Sequence, residues 1–516
     1  MGEVRLLYAR HAESAPVSLH TDLCRGVINM SGSRSRHFTA LEHVRWLGLV
    51  ICVFGTHLVQ NTVNAQGLVT EILDHEGGGP GARLSGPLGV ATDAEGNVFV
   101  SGFLSNNVLK ITPDGAIEQI LDQSGDGLGN IIHLASGIAA DSNNNVLVTG
   151  ASTSNVFRIE PNGFVTEIVD ETGDGIGNTL LYPRRVATDS DGNALVTGNG
   201  SANAFEIASD LTIRKLIDFS GDGLGNGLLD PDGIAKDSLG NTYVGCAVNN
   251  IVLKILPDGS VVKIMDASGD GLGHVLSSAR ELTIDRWDNL YVTGYNSSNV
   301  FRYAPDGTVS QIIDVMGSGG TDFLLTPKGI AVDKMGNVYV SGWFTENVFR
   351  ITPTGAITKI VDSTGDGKGG ELSGPYGVAT DALGNVFVVG YYSYNALKIA
   401  PDCNQNDLPD MTDIALGTSL DCNRNAVPDE CDIDCNLNGV ADECETFAKG
   451  DFDLDGDIDL DDYTGLPDCL VGPNPLSLPT PFTCRDTCRA VFDLDGDNDV
   501  DLKDIALLQT AFAPVP

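Results

Sequence analysis

The chain has 516 residues, with 70 Asp and Glu against 30 Lys and Arg, a formal charge of −40, 62 Gly, 11 Cys and 6% aromatic residues. That length is more than one core usually serves, so at least two domains are expected. The charge excludes simple nucleic-acid binding, because phosphates would be repelled and no basic patch is segregated, and it disfavours anionic membranes. Abundant Gly with a charged fraction of 19% suits many short strands joined by tight turns rather than a coiled coil or a disordered chain.

In chain order, residues 1–29 fit neither a targeting signal nor a domain, and Met30 stands where a signal peptide would begin, so 1–29 is expected to be a non-native extension. Arg34, Arg36 and Arg45 precede the apolar stretch Trp46–Val59, which leads to Val63-Asn64-Ala65 before Gln66. This reads as a secretory signal over residues 30–65, with a retained anchor as the alternative, and places the mature chain outside the cell or on its surface. No other run approaches membrane-spanning length.

Residues 66–401 are dominated by a repeat. Asp93, Asp141, Asp189, Asp237, Asp285, Asp333 and Asp381 are spaced by 48 residues without an insertion. Each unit holds β-branched runs separated by Asp-x-x-Gly-Asn and Pro-Asp-Gly turns, which predicts four short strands. Four strands repeated at this period make propeller blades rather than a helical solenoid. Seven units can be counted, and the seventh lacks its last strand. Gly67–Asp74 matches Gly115–Asp122, so it is expected to complete the last blade and close the ring. The predicted fold class is therefore all-β, a seven-bladed propeller of four-stranded blades followed by a small calcium-binding module.

The Asp-Gly-Asn repeat itself is explained by turn geometry. Departures from it are more informative. The residues that enter the channel on the first strands are Leu88, Ser136, Arg184, Asp232, Arg280, Lys328 and Tyr376, and the next position is Gly except for Arg185 and Glu281. These charges either form ion pairs between blades or line a pocket for a polar or anionic ligand. Ten residues after each repeated Asp stand Phe103, Tyr295, Trp343 and Tyr391 on four successive blades, with Ala151, Asn199 and Ala247 on the rest. The four rings could stack on sugars or an apolar partner, or pack between blades. The loops that leave the fourth strands, such as Asp122–Gly127, open like calcium loops but carry no carboxylate at position 12; weak calcium binding and a Gly-shaped connector both remain open.

The unit around Gly329–Gly355, GIAVDKMGNVYVSG followed by NVFRITPTG, resembles the NHL and gluconolactonase-like propeller repeats and the related streptogramin lyases. The resemblance covers residues 67–402 and implies the fold, whereas such propellers include enzymes, ligand binders and interaction platforms. The lyase chemistry would need a His base beside a metal-binding carboxylate, and the lactonase chemistry a metal held by carboxylates and Asn in the channel. The propeller has only His75, His133 and His274, and neither catalytic set can be matched residue by residue, so no catalytic residue is assigned. Asp232 with Glu281 is the one carboxylate pair at the mouth.

Charge is densest at the C-terminal end, where residues 402–516 hold 27 acidic and five basic residues and eight of the cysteines. An EF-hand-type loop needs oxygens at positions 1, 3, 5, 7, 9 and 12 to wrap one chain around a hard cation. Over residues 402–446 that spacing occurs three times among positions 1, 3, 5, 9 and 12: Asp402, Asn404, Asn406, Asp410, Asp413; then Asp421, Asn423, Asn425, Asp429, Asp432; then Asp434, Asn436, Asn438, Asp442, Glu445. The set, with Cys422 and Cys431 at positions 2 and 11 of the second loop and Cys435 and Cys444 at those of the third, resembles thrombospondin type-3 repeats. Over residues 447–516 two further loops follow 42 residues apart: Asp451, Asp453, Asp455, Asp457, Asp459, Asp462, and Asp493, Asp495, Asp497, Asp499, Asp501, Asp504. Each leads into a helix-like segment, Tyr463–Leu470 and Ile505–Phe512, and the pair resembles a dockerin, although the spacing and the linker cysteines Cys469, Cys484 and Cys488 depart from one. Calcium is the expected cofactor. The expected function is a monomeric, secreted calcium-dependent binding protein whose propeller takes a protein or glycan, with an extracellular polysaccharide, ester or lactone lyase or hydrolase as the alternative.

Overall fold

The computed structural model describes residues 68–511, apart from Pro80, Gln405, Asp407, Pro475 and Ser477, all within the compact unit Asn61–Pro516. The extension over residues 1–29 and the signal peptide over residues 30–65 lie outside the described residues. Among those described, no helix is long and apolar enough to cross a membrane.

Twenty-eight strands form seven separate four-stranded antiparallel sheets. The first complete blade is β2 (Pro87–Thr92), β3 (Val98–Gly102), β4 (Asn107–Ile111) and β5 (Ile117–Leu121), paired in chain order. Blades 2 to 6 repeat it, with inner strands at Ala135–Ala140, Pro183–Thr188, Pro231–Lys236, Ala279–Ile284 and Pro327–Val332. Blade 7 is completed from the other end of the domain: β1 (Val69–Leu73) pairs antiparallel with β28 (Asn395–Ile399), Val69 opposite Ile399. The closure expected from the sequence is present, and it covers the edge that β28 would otherwise expose.

The repeat makes strands because its turns are chemically defined. Asp93 accepts Asn97 N at 2.8 Å on one oxygen and Asn97 Nδ2 at 2.7 Å on the other, and Asp333 with Asn337 does the same five blades on. Between turns, the second strand of every blade is buried on both faces. Its side chains interdigitate with those of the next blade, as where Phe99, Val108 and Leu121 of blade 1 meet Val146, Val148 and Phe157 of blade 2. The inner strands approach backbone to backbone: a Cβ on Gly233 would stand 2.3 Å from Arg280 O, and one on Gly329 2.2 Å from Tyr376 O. That is the physical reason for Gly at this position in five blades.

Antiparallel order sorts the connections onto two faces. The start of each inner strand, the loop after each second strand and the connection between blades share one, here the mouth face. The Asp–Asn and Pro-Asp-Gly turns share the other, about 17–20 Å away along the strands.

The C-terminal module is small, helical and cross-linked. It contains α1 (Asp410–Leu416) and, around Phe452, Leu466, Val491, Phe492, Val500 and Leu508, α2 (Leu466–Cys469), α3 (Arg485–Phe492) and α4 (Leu502–Ala511). The helix expected at Tyr463–Leu470 is broken at Gly465, where a Cβ would meet the Phe452 ring at 2.2 Å, so only a 3-10 turn and the short α2 form. The α3 helix lies in the linker between the two acidic loops, where no element was expected. Cys403–Cys431 and Cys422–Cys444 join position 2 of one loop to position 11 of the next, Cys435–Cys484 ties the third loop to the segment before α3, and Cys469–Cys488 joins α2 to α3. The module packs on the turn face beside blades 5 and 6. Phe482 stands edge-on to Trp287 at 5.3 Å with Arg302 5.0 Å over its ring, and Lys334 donates to the carbonyl of Asn425.

Candidate functional site at the channel mouth

Because blades 3 and 5 carry Arg185 and Glu281 where five blades carry Gly, two long side chains occupy the axis. Arg185 Nε donates to Glu281 Oε2 at 2.5 Å, spanning blade 4, and also stands 3.7 Å from Asp232 Oδ1. Arg280 Nη1 donates to Asp232 Oδ2 at 2.8 Å. Beneath them an axial cavity of about 70 Å³ is lined by Arg185, Glu281 and the glycines of blades 1, 2, 6 and 7.

Burial works to raise the Asp232 carboxyl, but Arg185, Arg280, Arg184 and Lys328 outweigh it and hold the group below the usual range. Glu281 moves the other way, lifted by burial and by the charge of Asp232 against the pull of Arg185. Arg185 is held firmly protonated, since Glu281, Tyr376 and Asp232 overcome the cost of its burial. Lys328 is pushed down to about 8, first by burial and then by Arg280.

Lys328 has no carboxylate within ion-pairing distance among the described residues. Its Nζ faces rings instead, 4.4 Å from the centroid of Tyr295, 4.9 Å from Tyr376 and 5.5 Å from Trp343. Arg184 is likewise laid over Tyr182 at 5.3 Å without an acidic partner, and Arg280 also covers Tyr295 at 4.8 Å. Around Asp232 and Glu281 the mouth therefore gathers four cations, Arg184, Arg185, Arg280 and Lys328, while Asp230 and Glu346 lie on the same face.

The two asymmetries read from the sequence meet here. Trp343 contacts Tyr376 at 5.6 Å, Tyr391 at 5.5 Å and Tyr392 at 5.2 Å, and the two tyrosines contact each other at 5.0 Å. The rings join blades 6 and 7 and also form a wall beside Lys328. Phe103, on blade 1, makes no ring contact with this cluster among the described residues. Two more open rings were missed: Tyr392, in the cluster, is 59% exposed, and Phe344, next to Trp343 in the chain, is 68% exposed. Their signal lay one position past the aromatic ladder, eleven residues after the repeated Asp, where the other blades have Leu104, Ser152, Gly200, Val248 and Asn296.

The loops between blades turn their carboxylates inward on themselves. Asp122 Oδ1 accepts Ser124 N at 2.8 Å, and Asp126 accepts Leu128 N at 2.8 Å and Asn130 Nδ2 at 2.6 Å. Those bonds shape the loop. They leave Leu128, Ile176, Leu224 and Leu272 at the tips, 81–87% exposed.

In the C-terminal module each predicted ligand set converges. Position 9 accepts the backbone N–H of position 2 in all three Asn-containing loops: Cys403 N to Asp410, Cys422 N to Asp429 and Cys435 N to Asp442, at 2.8–2.9 Å. The Asn at position 5 donates its amide to the carboxylate at position 12, as Asn406 does to Asp413 at 2.9 Å, and as Asn425 and Asn438 do to Asp432 and Glu445. Position 6 takes positive φ at Ala426, Gly439, Gly456 and Asn498, the sharp turn that such a loop requires. The position-12 carboxylates of the last two loops accept the same three amides: Asp462 accepts Phe452 N, Asp453 N and Asp459 N, and Asp504 accepts Leu494 N, Asp495 N and Asp501 N. Carboxylate oxygens of Asp451, Asp453 and Asp462, and of Asp493, Asp495 and Asp504, lie within 4.8 Å of one another. Asp451 Oδ1 and Asp499 Oδ1 are buried with no hydrogen-bond donor. A buried, donor-less carboxylate oxygen in such a cluster fits a hard cation.

Among known families, a model of the SBBP β-propeller repeat matches residues 172–206. No curated protein matches the chain. Among solved structures, virginiamycin B lyase from Staphylococcus aureus is 16% identical over 64% of this chain and 98% of its own, with a TM-score of 0.50. A streptogramin B lyase gives 16% identity over 64% and 96%, also at 0.50. A gluconolactonase from Xanthomonas campestris is 15% identical over 64% and 88%, at 0.37. At these identities the likeness is one of fold.

Proposed function

We propose that the protein is a secreted or cell-surface binding protein, whose propeller presents a ligand-binding mouth and whose C-terminal module folds around calcium and tethers the propeller to a partner. The observation that carries this reading is the separation of faces. Uncompensated cations and an aromatic wall gather on the mouth face, while the acidic module is packed on the opposite face and leaves the mouth open. Pockets with a few convergent polar groups beside apolar walls are the usual form of a ligand site. Calcium would be held by the carboxylates and Asn oxygens of the five loops, and it would supply the charge that relieves their mutual repulsion. The dockerin-like and thrombospondin-like character of the module belongs to this proposal, and a protein or glycan is the partner class.

A second reading, an extracellular lyase or hydrolase, has one observation in its favour: Glu281 is raised, as a general acid must be. Against a metal-dependent version, Asp232 and Glu281 are each already bonded to an arginine, a donor set that suits an anion better than a divalent cation.

Replacing Tyr295, Trp343 and Tyr391 together by Ala tests the binding reading on a glycan and secreted-protein binding screen. We expect ligand capture to be lost while the melting temperature stays within a few degrees of the parent. A large fall in melting with the loss would make the rings structural and remove the support for a binding mouth.

A further inference from the structure

The ligand's chemistry can be taken further, on the premise that the mouth binds a ligand at all. Three features of the mouth act together: Lys328 touches the aromatic wall, and Arg184, on blade 3, reaches it through its charge. Lys328 is a cation without a counter-ion, enclosed by Tyr295, Tyr376 and Trp343. Among the described residues Arg184 is a second cation without an acidic partner, and its charge lowers Lys328 further. Beside them the wall of Trp343, Tyr391 and Tyr392 runs outward to exposed ring surface. In a chain of formal charge −40, with 70 acidic residues available, two cations left unpaired at the mouth of a channel point to an anion that arrives from solvent.

An anion alone would not use the wall. A ligand that satisfies both features carries a carboxylate next to a flat face of C–H groups, with hydroxyls to meet the tyrosine OH groups. A pyranose laid on the indole brings an exocyclic carboxylate toward Lys328 Nζ, which stands 5.5 Å from the ring centroid. The exposed Tyr392, in contact with Trp343, continues the stacking surface for a neighbouring sugar. We propose that the mouth binds a hexuronate unit of an acidic polysaccharide, its carboxylate on Lys328 and its ring face on Trp343 and Tyr391. The distinction from an acidic peptide lies in the rings: aspartate and glutamate side chains bring the charge without the rigid face or the hydroxyls.

Protonation of Lys328 then governs the site. The charged and titratable groups that face it are Arg280, Arg185 and Arg184, which lower it with burial, Asp232, which raises it, Glu281, whose own carboxyl feels the Lys328 charge, and the Tyr295 and Tyr376 rings. Between pH 7 and pH 9 the free site passes from mostly protonated to mostly neutral, so uronate affinity should fall about tenfold.

The test is titration of the full chain, in calcium, with short oligogalacturonates, followed by tryptophan fluorescence and calorimetry. The comparison ligands are the methyl ester, a neutral cello-oligosaccharide of the same length and a polyglutamate peptide. We expect the acid form to bind, the ester and the neutral sugar to be at least about tenfold weaker, and Lys328→Met to lose binding by a similar factor at an unchanged or raised melting temperature. Lys328→Arg should keep most of the affinity. Equal binding of acidic and neutral sugars, or unchanged affinity in Lys328→Met, would overturn the uronate assignment and leave a binding mouth. Preference for polyglutamate would overturn it in favour of an acidic protein. If none of these probes binds and the Tyr295, Trp343 and Tyr391 replacements lower melting, the binding mouth itself fails.

Discussion

The propeller and the C-terminal module are built on opposite principles. In the propeller, the fold comes from apolar surface: seven second strands are buried on both faces, and adjacent blades interlock through residues such as Phe99, Phe157, Phe205, Phe301 and Phe349. Its repeated aspartates shape turns, and Asp232 and Glu281 pair with arginines at the channel. In the module, nine residues form the buried cluster, and the rest is four disulfides and carboxylates aimed at one another. A packed ring needs no ion, whereas a chain that brings several carboxylates within 4.8 Å must offset their repulsion. On the proposed reading, the comparison says where an external agent would enter: at the mouth of the propeller as ligand, and in the module as part of the fold.

The sharpest way to break the comparison is to open the ring. Deleting residues 67–74 removes β1, with the buried Val69 and Leu73, and exposes the edge of β28. We expect a loss of more than about 5 kcal/mol, or no folded propeller, in denaturant melts followed by far-UV circular dichroism. If the truncated chain melts like the parent, closure is not what holds the ring.

A smaller effect is expected where the two regions meet. Phe482 is 4% exposed against Trp287 and under Arg302. Phe482→Ala should cost about 3–5 kcal/mol at that contact and free the module from the turn face while each part keeps its own secondary structure. Limited proteolysis near residue 402 reads this directly. Unchanged resistance to cleavage would mean that Lys334 and its neighbours carry the docking alone.

Legibility followed the same division. The 48-residue repeat, the seven blades and the closing strand could be read because each turn is written in local chemistry, Asp with Asn and Gly at fixed offsets. The mouth was half legible: Arg185, Glu281, Lys328 and the aromatic ladder stood out as departures from a repeat. Their convergence did not, because two ladders at different places in the repeat meet only once the ring closes. Phe344 and Tyr392 were passed over for the position before them. In the module, ligand spacing was legible but the cross-linking of successive loops was not, since cysteine spacing leaves connectivity open. The α3 helix, the break at Gly465 and the docking of Phe482 depend on tertiary contacts with Phe452 and Trp287, which no local pattern announces.

The central claim is that the module requires calcium and the propeller does not. Hydrogen–deuterium exchange on the full chain, in calcium and after chelation, tests it most directly. The account predicts that amides over residues 402–511 lose most of their protection on chelation, while the strands between residues 69 and 399 keep theirs. Protection over 402–511 that survives chelation unchanged would contradict it.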